Sequence, residues 1–361
     1  MVLENKAYVP TLAVRASEMN GLEFLPGATK DRMTPCFLLA PWANSNTLER
    51  TITRIERAFP HREYFLDIDR YYQFTNLEDS VPQQELARLL DPTGSFANWV
   101  EFVGEHDRVW PCIQTRGQTE AEIRTQIEAF QGQGRPYCMR IVRDRFPQNI
   151  DEVVSAFAAG GYADFAIILE GGWTTDPLSL AAWFDGVITG SLDPIDATVP
   201  VVLSCTSIPK IFTNFSGDAP TTVPFSNRQL IDQVGRQSNR ARIIYGDWGS
   251  TRPREPGGFA NRPLDRVDYP TDSAWHILRN KEDEWDFRDA ALALVNSPVW
   301  DGELGIWGEN MIRDTTINEE LGIDTPQKNV ASRVNIHLHR QAFYGMPPID
   351  PAAFDEEWQD D

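Results

Sequence analysis

The chain has 361 residues, of which 41% are hydrophobic and 24% charged, as is usual for a globular protein. Its formal net charge of −20 means that the surface as a whole repels nucleic acid and anionic membranes, which argues against general nucleic-acid binding. The sequence contains no secretory leader pattern and no apolar run of 18 or more residues, so we expect a cytoplasmic protein with no membrane span.

Short apolar segments of strand character recur along the chain, and most are followed by a segment with helical periodicity. They predict eight strands, at residues 7–15, 33–42, 64–72, 109–117, 136–144, 164–173, 199–207 and 240–251. Repeated β-α alternation is typical of parallel strands joined by crossovers. Eight such units predict an α/β fold, a (β/α)8 TIM-type barrel. The alternative, an open doubly wound sheet, usually has a glycine-rich phosphate turn after its first strand, and this chain has none.

The sequence changes character beyond the eighth predicted strand. Residues 251–270 are rich in Pro, Gly and Arg and predict a long loop, residues 273–297 mix strand and helix signals, and residues 330–345 predict a closing helix that packs on the barrel. The predicted organisation is a barrel over residues 1–252, a C-terminal loop-plus-helix extension over 253–350, and an acidic tail over 351–361.

Charged side chains recur at the carboxyl ends of the predicted strands, which is where barrel proteins build their sites. In the segment EYFLDIDRYY, Asp67 and Asp69 interrupt an apolar run, and strand alternation places them on the same face. If that face is the barrel interior, they lie near Glu170 from another strand. We therefore predict Asp67, Asp69 and Glu170 as candidate catalytic acid–base groups.

The other strand ends supply candidate ligand-binding residues. Arginines suit the recognition of a phosphate or carboxylate, and tryptophans can stack on a base or a sugar. The ligand-binding candidates are Arg15, Glu18, Trp42, Arg116, Arg140, Arg143, Trp173, Asp247 and Trp248.

Two alternatives to this site stay open at the level of sequence. The charges could neutralise one another in a plugged barrel end, or the carboxylates could hold Mg²⁺ or Mn²⁺. Because the neighbouring arginines compete for the same oxygens, no metal site is predicted, and the sequence identifies no cofactor. None of the five histidines lies at a predicted strand end, although His276 could reach the mouth if its segment folds over it.

The four cysteines, at positions 36, 112, 138 and 205, each lie in a different predicted strand and form no CxxC pair. Zinc sites need closely spaced Cys or His ligands, so this spacing does not favour one. We expect free buried thiols in a reducing compartment.

The first predicted strand and the turn after it carry the pattern Y-x-P-x-x-x-x-R-x-x-E with a following GL, supplied by Tyr8, Pro10, Arg15, Glu18, Gly21 and Leu22. The segments TPCFLLAPW, FLDIDRY and VASRVNIHLHRQ follow in that order. This arrangement resembles the beta protein family of phages and bacterial mobile elements. The resemblance implies a phage or mobile-element setting and a part in phage–host conflict. It supplies no catalytic residues.

Two function hypotheses follow. The first is an enzyme, or an enzyme-derived pocket, that acts on a small anionic or nucleotide-like molecule. The second is a non-catalytic binding protein of phage defence or counter-defence that recognises a protein partner or sequesters a signal molecule. An open cavity lined by Asp67, Asp69, Arg140 and Glu170 would favour the first hypothesis. A filled salt-bridge network would favour the second. The sequence does not predict the oligomeric state.

Overall fold

The computed structural model describes residues 2–143, 150–159, 164–255 and 265–347. The strands are β1 (Tyr8–Ala13), β2 (Cys36–Leu39), β3 (Tyr64–Ile68), β4 (Val109–Pro111), β5 (Tyr137–Val142), β6 (Phe165–Trp173), β7 (Val201–Thr206), β8 (Gly217–Pro224), β9 (Ile243–Asp247), β10 (Val267–Pro270) and β11 (Ala274–Arg279).

The first nine helices are α1 (Ala16–Glu23), α2 (Gly27–Asp31), α3 (Glu49–Ala58), α4 (Val81–Leu89), α5 (Thr93–Gly104), α6 (Glu120–Gly132), α7 (Ile150–Ala158), α8 (Pro177–Gly186) and α9 (Asn227–Gln237). The last three are α10 (Phe287–Val295), α11 (Trp307–Ile317) and α12 (Pro326–Ala342). A π-helical turn over Val187–Ser191 extends α8, and a 3₁₀ turn covers Glu319–Leu321. Within the described ranges, no helix is both long enough and apolar enough to cross a membrane.

Eight of the strands form one parallel sheet in the order β4-β3-β2-β1-β9-β7-β6-β5. A single parallel bridge between Cys112 and Cys138 joins the two outer strands, and the Ile113 amide donates to the Cys138 carbonyl at 2.9 Å. This contact closes the sheet into a ring. The predicted (β/α)8 TIM-type barrel is therefore confirmed, and all eight of its strands fall within the segments predicted from the sequence.

Side-chain alternation along the strands divides the apolar residues into an inner and an outer set. Val9, Phe65 and Ile168 belong to a cluster that fills the lower barrel interior. Leu12 and Leu66 belong to the larger cluster beneath the helices. Because the strands are buried on both faces, their sequences are nearly continuous apolar runs. This pattern made the strands recognisable from the sequence.

The remaining three strands form an antiparallel sheet in the order β10-β11-β8. The sequence prediction was wrong here: it assigned residues 251–270, which include β10, to a loop and predicted no strand at β8. Both are edge strands, and β8 (GDAPTTVP) contains two prolines, which suit an edge and obscure the strand signal. Residues 256–264 of the predicted loop lie outside the described residues, as does the predicted acidic tail.

The closing helix α12 packs directly on the barrel. Its Val334 and Leu338 side chains belong to the same apolar cluster as Tyr8 and Leu12 of β1. Helix α12 also contributes buried polar side chains, among them His337.

Candidate functional site

Glu170, near the carboxyl end of β6, is fully buried at the mouth of the barrel. One of its oxygens accepts hydrogen bonds from the hydroxyl groups of Ser204 at 2.9 Å and Thr11 at 3.3 Å. The other accepts from Trp248 Nε1 and from the Gly172 amide, both at 2.8 Å. Four strands thus converge on one carboxylate, and each of its oxygens has two donors.

Arg140, from β5, lies between Asp67 and Glu170. Its Nη1 donates to Asp67 Oδ2 at 2.8 Å, and its Nη2 lies 3.9 Å from Glu170 Oε2. Burial lowers the pKa of Arg140, but the charge of Asp67 outweighs this effect and leaves the pKa above its usual value. Burial raises the pKa of Glu170 above its usual value despite the nearby guanidinium.

The Arg140 side chain is 5% exposed and has two ion-pair partners, Asp67 and Glu170, but it makes a hydrogen bond only to Asp67. Its Nε and Nη2 atoms are buried and have no hydrogen-bond partner among the described residues. These two N–H groups lie along one edge of the guanidinium plane, the fork that matches two oxygens of a phosphate or carboxylate. Arg140 is therefore the mouth residue with unused donors.

Asp67 is held by the protein on both oxygens. Besides the Arg140 ion pair, its Oδ1 accepts from Gln114 Nε2 and from the Ile68 amide, both at 2.8 Å. Gln114 in turn accepts from Arg70 Nη2 at 2.6 Å, and the Gln126 side chain donates to its carbonyl at 2.7 Å. Gln126 was not predicted as part of the site, because it lies on helix α6 and only the fold brings it beneath β4.

Asp69 is bridged from across the barrel. Its Oδ2 accepts from Arg254 Nε at 2.5 Å, and its Oδ1 from the Tyr71 amide at 3.0 Å. Arg254 follows β9, so this ion pair spans the mouth from β9 to β3. Asp69 also lines a narrow cleft that has no room for a water molecule. The cleft is lined by Leu38, Asp67, Ile68, Asp69, Arg70, Tyr71 and Arg140.

Asp247 lies apart from these groups. Alternation along β9 sends Trp248 into the barrel and Asp247 outward, where Tyr8 OH donates to it along with Tyr245 OH at 2.9 Å. His337 Nε2, from α12, lies 2.6 Å from Asp247 Oδ2. Burial raises the pKa of Asp247, but His337 and the hydrogen bonds outweigh burial and leave it below its usual value.

This outer cluster of Tyr8, Tyr245, Asp247 and His337 was not predicted. His337 lies in the HLH segment, which gave no sign of a partner 90 residues away. The other histidine singled out, His276, lies in β11, where its Nδ1 is 3.0 Å from Thr222 Oγ1. The structure places it in the antiparallel sheet and not at the strand ends.

The other residues predicted at the strand ends differ in what they contact. Arg143, which follows β5, donates from Nη2 to Ser179 at 2.6 Å, and Trp173, the last residue of β6, donates to the Ile208 carbonyl at 2.7 Å, so both lie at strand ends around the mouth. Arg15 pairs with Glu18 at 3.3 Å within the first turn of α1.

Trp42 instead contacts a helix. Its ring lies 5.4 Å from the guanidinium of Arg54 on α3. This contact directs Trp42 toward the outer helices.

Several rim arginines lie close to other arginines. Burial lowers the pKa of Arg70 and of Arg252. A carboxylate opposes this effect in each case, Asp67 beside Arg70 and Glu255 beside Arg252, and a neighbouring guanidinium reinforces it, Arg116 beside Arg70 and Arg15 beside Arg252. Arg116 itself is exposed.

The four cysteines are free and buried, as predicted. Cys36 Sγ and Cys112 Sγ lie 4.0 Å apart inside the barrel. In the part of the chain that the structure describes, no three His, Cys, Asp or Glu side chains are placed to hold a metal ion.

Comparison with known proteins places these features in a family context. A family model described as Beta protein matches residues 8–343. Protein beta of Enterobacteria phage P4 is 25% identical in an alignment of 350 positions that covers 94% of this chain and 93% of the phage protein. The matched range runs from β1 to the residue after α12, so it includes the barrel, the antiparallel sheet and the closing helix.

Proposed function

The chain belongs to the Beta protein family. From this membership and from the geometry of the barrel mouth, we propose that it is a binding protein in which Arg140 binds an anionic group. The group is a phosphate or a carboxylate. Similarity to a phage protein supports a phage or mobile-element setting.

The observation that carries this proposal is the unused fork of Arg140. A buried N–H group without an acceptor costs about 1–3 kcal/mol, and Arg140 has two such nitrogens, Nε and Nη2. A bidentate anion would satisfy both at once. Asp67 holds the opposite side of the guanidinium at 2.8 Å, so the fork is fixed before a ligand arrives.

The carboxylates favour binding over turnover. Asp67 and Glu170 each have all their oxygens engaged by protein donors, and Asp69 is 1% exposed and paired with Arg254. A general base needs a lone pair directed at the substrate. We propose that Asp67 and Glu170 are positioning residues for Arg140.

Entry of a ligand requires the mouth to open. The cleft has no room for a water molecule. Asp69, which lines it, pairs with Arg254, and the Arg254 side chain is 25% exposed, so it has solvent to move into when a ligand enters.

Isothermal titration with orthophosphate and with citrate, at constant ionic strength, tests the proposal. We expect at least one anion to bind wild-type protein, Arg140→Gln to lose the binding, and Arg140→Lys to weaken it about tenfold because the planar fork is lost. Arg124→Gln, which removes an arginine from an exposed ion pair on α6, is the charge-matched control. Binding that survives in Arg140→Gln would overturn the proposal.

A second candidate is favoured by exposed apolar side chains around the same mouth. Leu178, in the first turn of α8, is 82% exposed, and Ile211, which follows Lys210 in the loop after β7, is 61% exposed. Apolar residues beside cations are typical of protein interfaces, so the anionic group would belong to an acidic segment of a partner protein. We expect Leu178→Asp and Ile211→Asp to weaken binding of a glutamate-rich peptide and to leave orthophosphate binding unchanged. Equal peptide binding in wild type and both variants would reject this candidate.

A further inference from the structure

A second basic site lies on the side of the barrel, away from the mouth, in a cleft of about 430 Å³. We call it the basic cleft. It is formed by the segment before β1, helix α9 and the start of β9, and its charged lining consists of Lys6, Arg228, Asp232, Arg236, Arg240 and Arg242. We propose that the basic cleft binds a polyphosphate group, and this proposal is independent of the function proposed for the mouth.

The cations of the basic cleft are not neutralised by carboxylates. Among the described residues, none of the five forms an ion pair within 4 Å, whereas Arg140, Arg254 and many other arginines do. Three of the five donate to backbone carbonyls: Lys6 to Asp31 at 2.8 Å, Arg240 to Ile195 at 2.9 Å, and Arg242 to Lys6 at 2.9 Å.

These hydrogen bonds fix three of the five cations in place. Burial lowers the pKa values of Lys6, Arg240 and Arg242, in each case despite the charge of nearby acids. In a chain with a net charge of −20, a concentration of unpaired cations creates a local field that attracts anions.

Arg228 supplies the second observation. Its guanidinium lies between two rings, 4.2 Å from the centroid of Tyr245 and 4.3 Å from that of Tyr344. Its Nε and Nη1 atoms are buried without a hydrogen-bond partner among the described residues. Stacking on two rings holds the guanidinium plane without using its donors. Asp247 in turn accepts from Tyr245 OH at 2.9 Å and so fixes that ring.

The charge and size of the basic cleft indicate the class of ligand. Five cations and one carboxylate leave a net lining charge of +4, which matches a triphosphate better than a monoanion. A volume of 430 Å³ falls within the roughly 300–1,000 Å³ typical of small-molecule sites. Duplex nucleic acid is disfavoured, because a chain with a net charge of −20 repels it. The ligand class is therefore an inorganic polyphosphate or a small molecule that carries a polyphosphate chain.

Isothermal titration of the full chain with inorganic tripolyphosphate, at constant ionic strength, tests this inference. We expect tripolyphosphate to bind about tenfold or more tightly than orthophosphate, and Arg228→Gln to weaken its binding about tenfold. Arg236→Gln is the second variant, because Arg236 is exposed and its loss leaves the fold intact. It should weaken binding several-fold. A parallel titration with a nucleoside triphosphate shows whether an attached nucleoside adds affinity.

Two controls make the outcome decisive. Arg50→Gln removes an exposed arginine on α3, far from the basic cleft in the fold, and should leave the affinity within about twofold. Arg140→Gln removes the site proposed at the mouth, and this variant should still bind tripolyphosphate at the basic cleft. The proposal is overturned if tripolyphosphate does not bind at millimolar concentration, if Arg50→Gln weakens binding as much as Arg228→Gln, or if only Arg140→Gln abolishes it. In the last case the polyphosphate would belong to the mouth.

Discussion

The hydrogen-bonding capacity of Arg140 is less completely used by the protein than that of the carboxylates around it. Asp67 and Glu170 accept hydrogen bonds on both oxygens, while Arg140 retains two buried nitrogens without an acceptor. A buried ion pair by itself is weak evidence for either stability or function. The incomplete satisfaction of one partner is more informative, because it identifies the atoms at which an external anion would bind.

His339, on α12, gives a prediction at the residue scale. Burial, reinforced by the nearby Arg340, lowers its pKa from 6.5 to about 4. The unfolded chain therefore binds a proton between pH 6.5 and pH 4 that the folded chain does not bind. The free energy of unfolding is therefore highest above pH 6.5 and falls as the pH drops toward 4, and at pH 5 the loss is about 2 kcal/mol.

Urea unfolding at pH 7 and pH 5 measures this effect. When the pH falls from 7 to 5, the free energy of unfolding of His339→Gln should decrease by about 2 kcal/mol less than that of wild type, because glutamine does not titrate. His61→Gln, at an exposed histidine, should follow wild type. If His339→Gln shows the same pH dependence as wild type, the depressed pKa is refuted.

The contact between α1 and α12 gives a prediction at the scale of elements. A Cβ atom added at Gly21 of α1 would lie 2.7 Å from the Ala331 carbonyl oxygen and 2.9 Å from Val334 Cβ, both on α12. Asn335 also donates to the Gly21 carbonyl at 2.9 Å. Gly21→Ala should therefore force the helices apart and cost about 1–3 kcal/mol of unfolding free energy.

Gly132→Ala on α6 is the matched control, since no atom lies within 4 Å of its added Cβ. Because alanine has a higher helix propensity than glycine, this substitution should leave the free energy of unfolding unchanged or raise it by up to about 1 kcal/mol. Chemical denaturation of both variants compares them directly. Equal stability of Gly21→Ala and wild type would show that the α1–α12 contact is looser than described.

The barrel elements could be predicted because their apolar runs are long and alternate with amphipathic helices. CFLL in β2 and FAIILE in β6 read as strands without knowledge of their neighbours. Strands β8 and β10 could not be recognised, because short edge strands need few apolar residues and tolerate proline. Their pairing with β11 depends on contacts that no local pattern reveals.

The candidate site could be predicted only in part, for a similar reason. Alternation correctly placed Asp67 beside Arg140 and Glu170, since the interior face of a barrel follows from its strand period. The same rule should have separated Asp247 from Trp248, which are adjacent in sequence and point to opposite faces. His337 reaches Asp247 from a helix 90 residues away, and only the tertiary fold creates that pair.

At the scale of the whole molecule, the C-terminal part of the chain completes the barrel core. Val334, Leu338 and Ala342 of α12 belong to the barrel's apolar cluster, and His337 pairs with Asp247. A chain that ends at residue 251 would expose this surface and leave the buried Asp247 without its histidine. We expect it to lose cooperative urea unfolding, as followed by circular dichroism.

A chain that ends at residue 347 keeps every described element and serves as the control. It should unfold cooperatively. If the chain that ends at residue 251 unfolds as cooperatively as this control, the barrel folds without α12.

The central claim, that the mouth binds an anion through Arg140, is tested most directly by the dependence of unfolding free energy on the anion. Wild type, Arg140→Gln and Arg228→Gln are unfolded in urea with and without orthophosphate or citrate at constant ionic strength. At ten times the dissociation constant, wild type and Arg228→Gln should gain about 1.4 kcal/mol and Arg140→Gln should gain nothing. An equal gain in Arg140→Gln, or no gain in wild type with either anion, would contradict the claim.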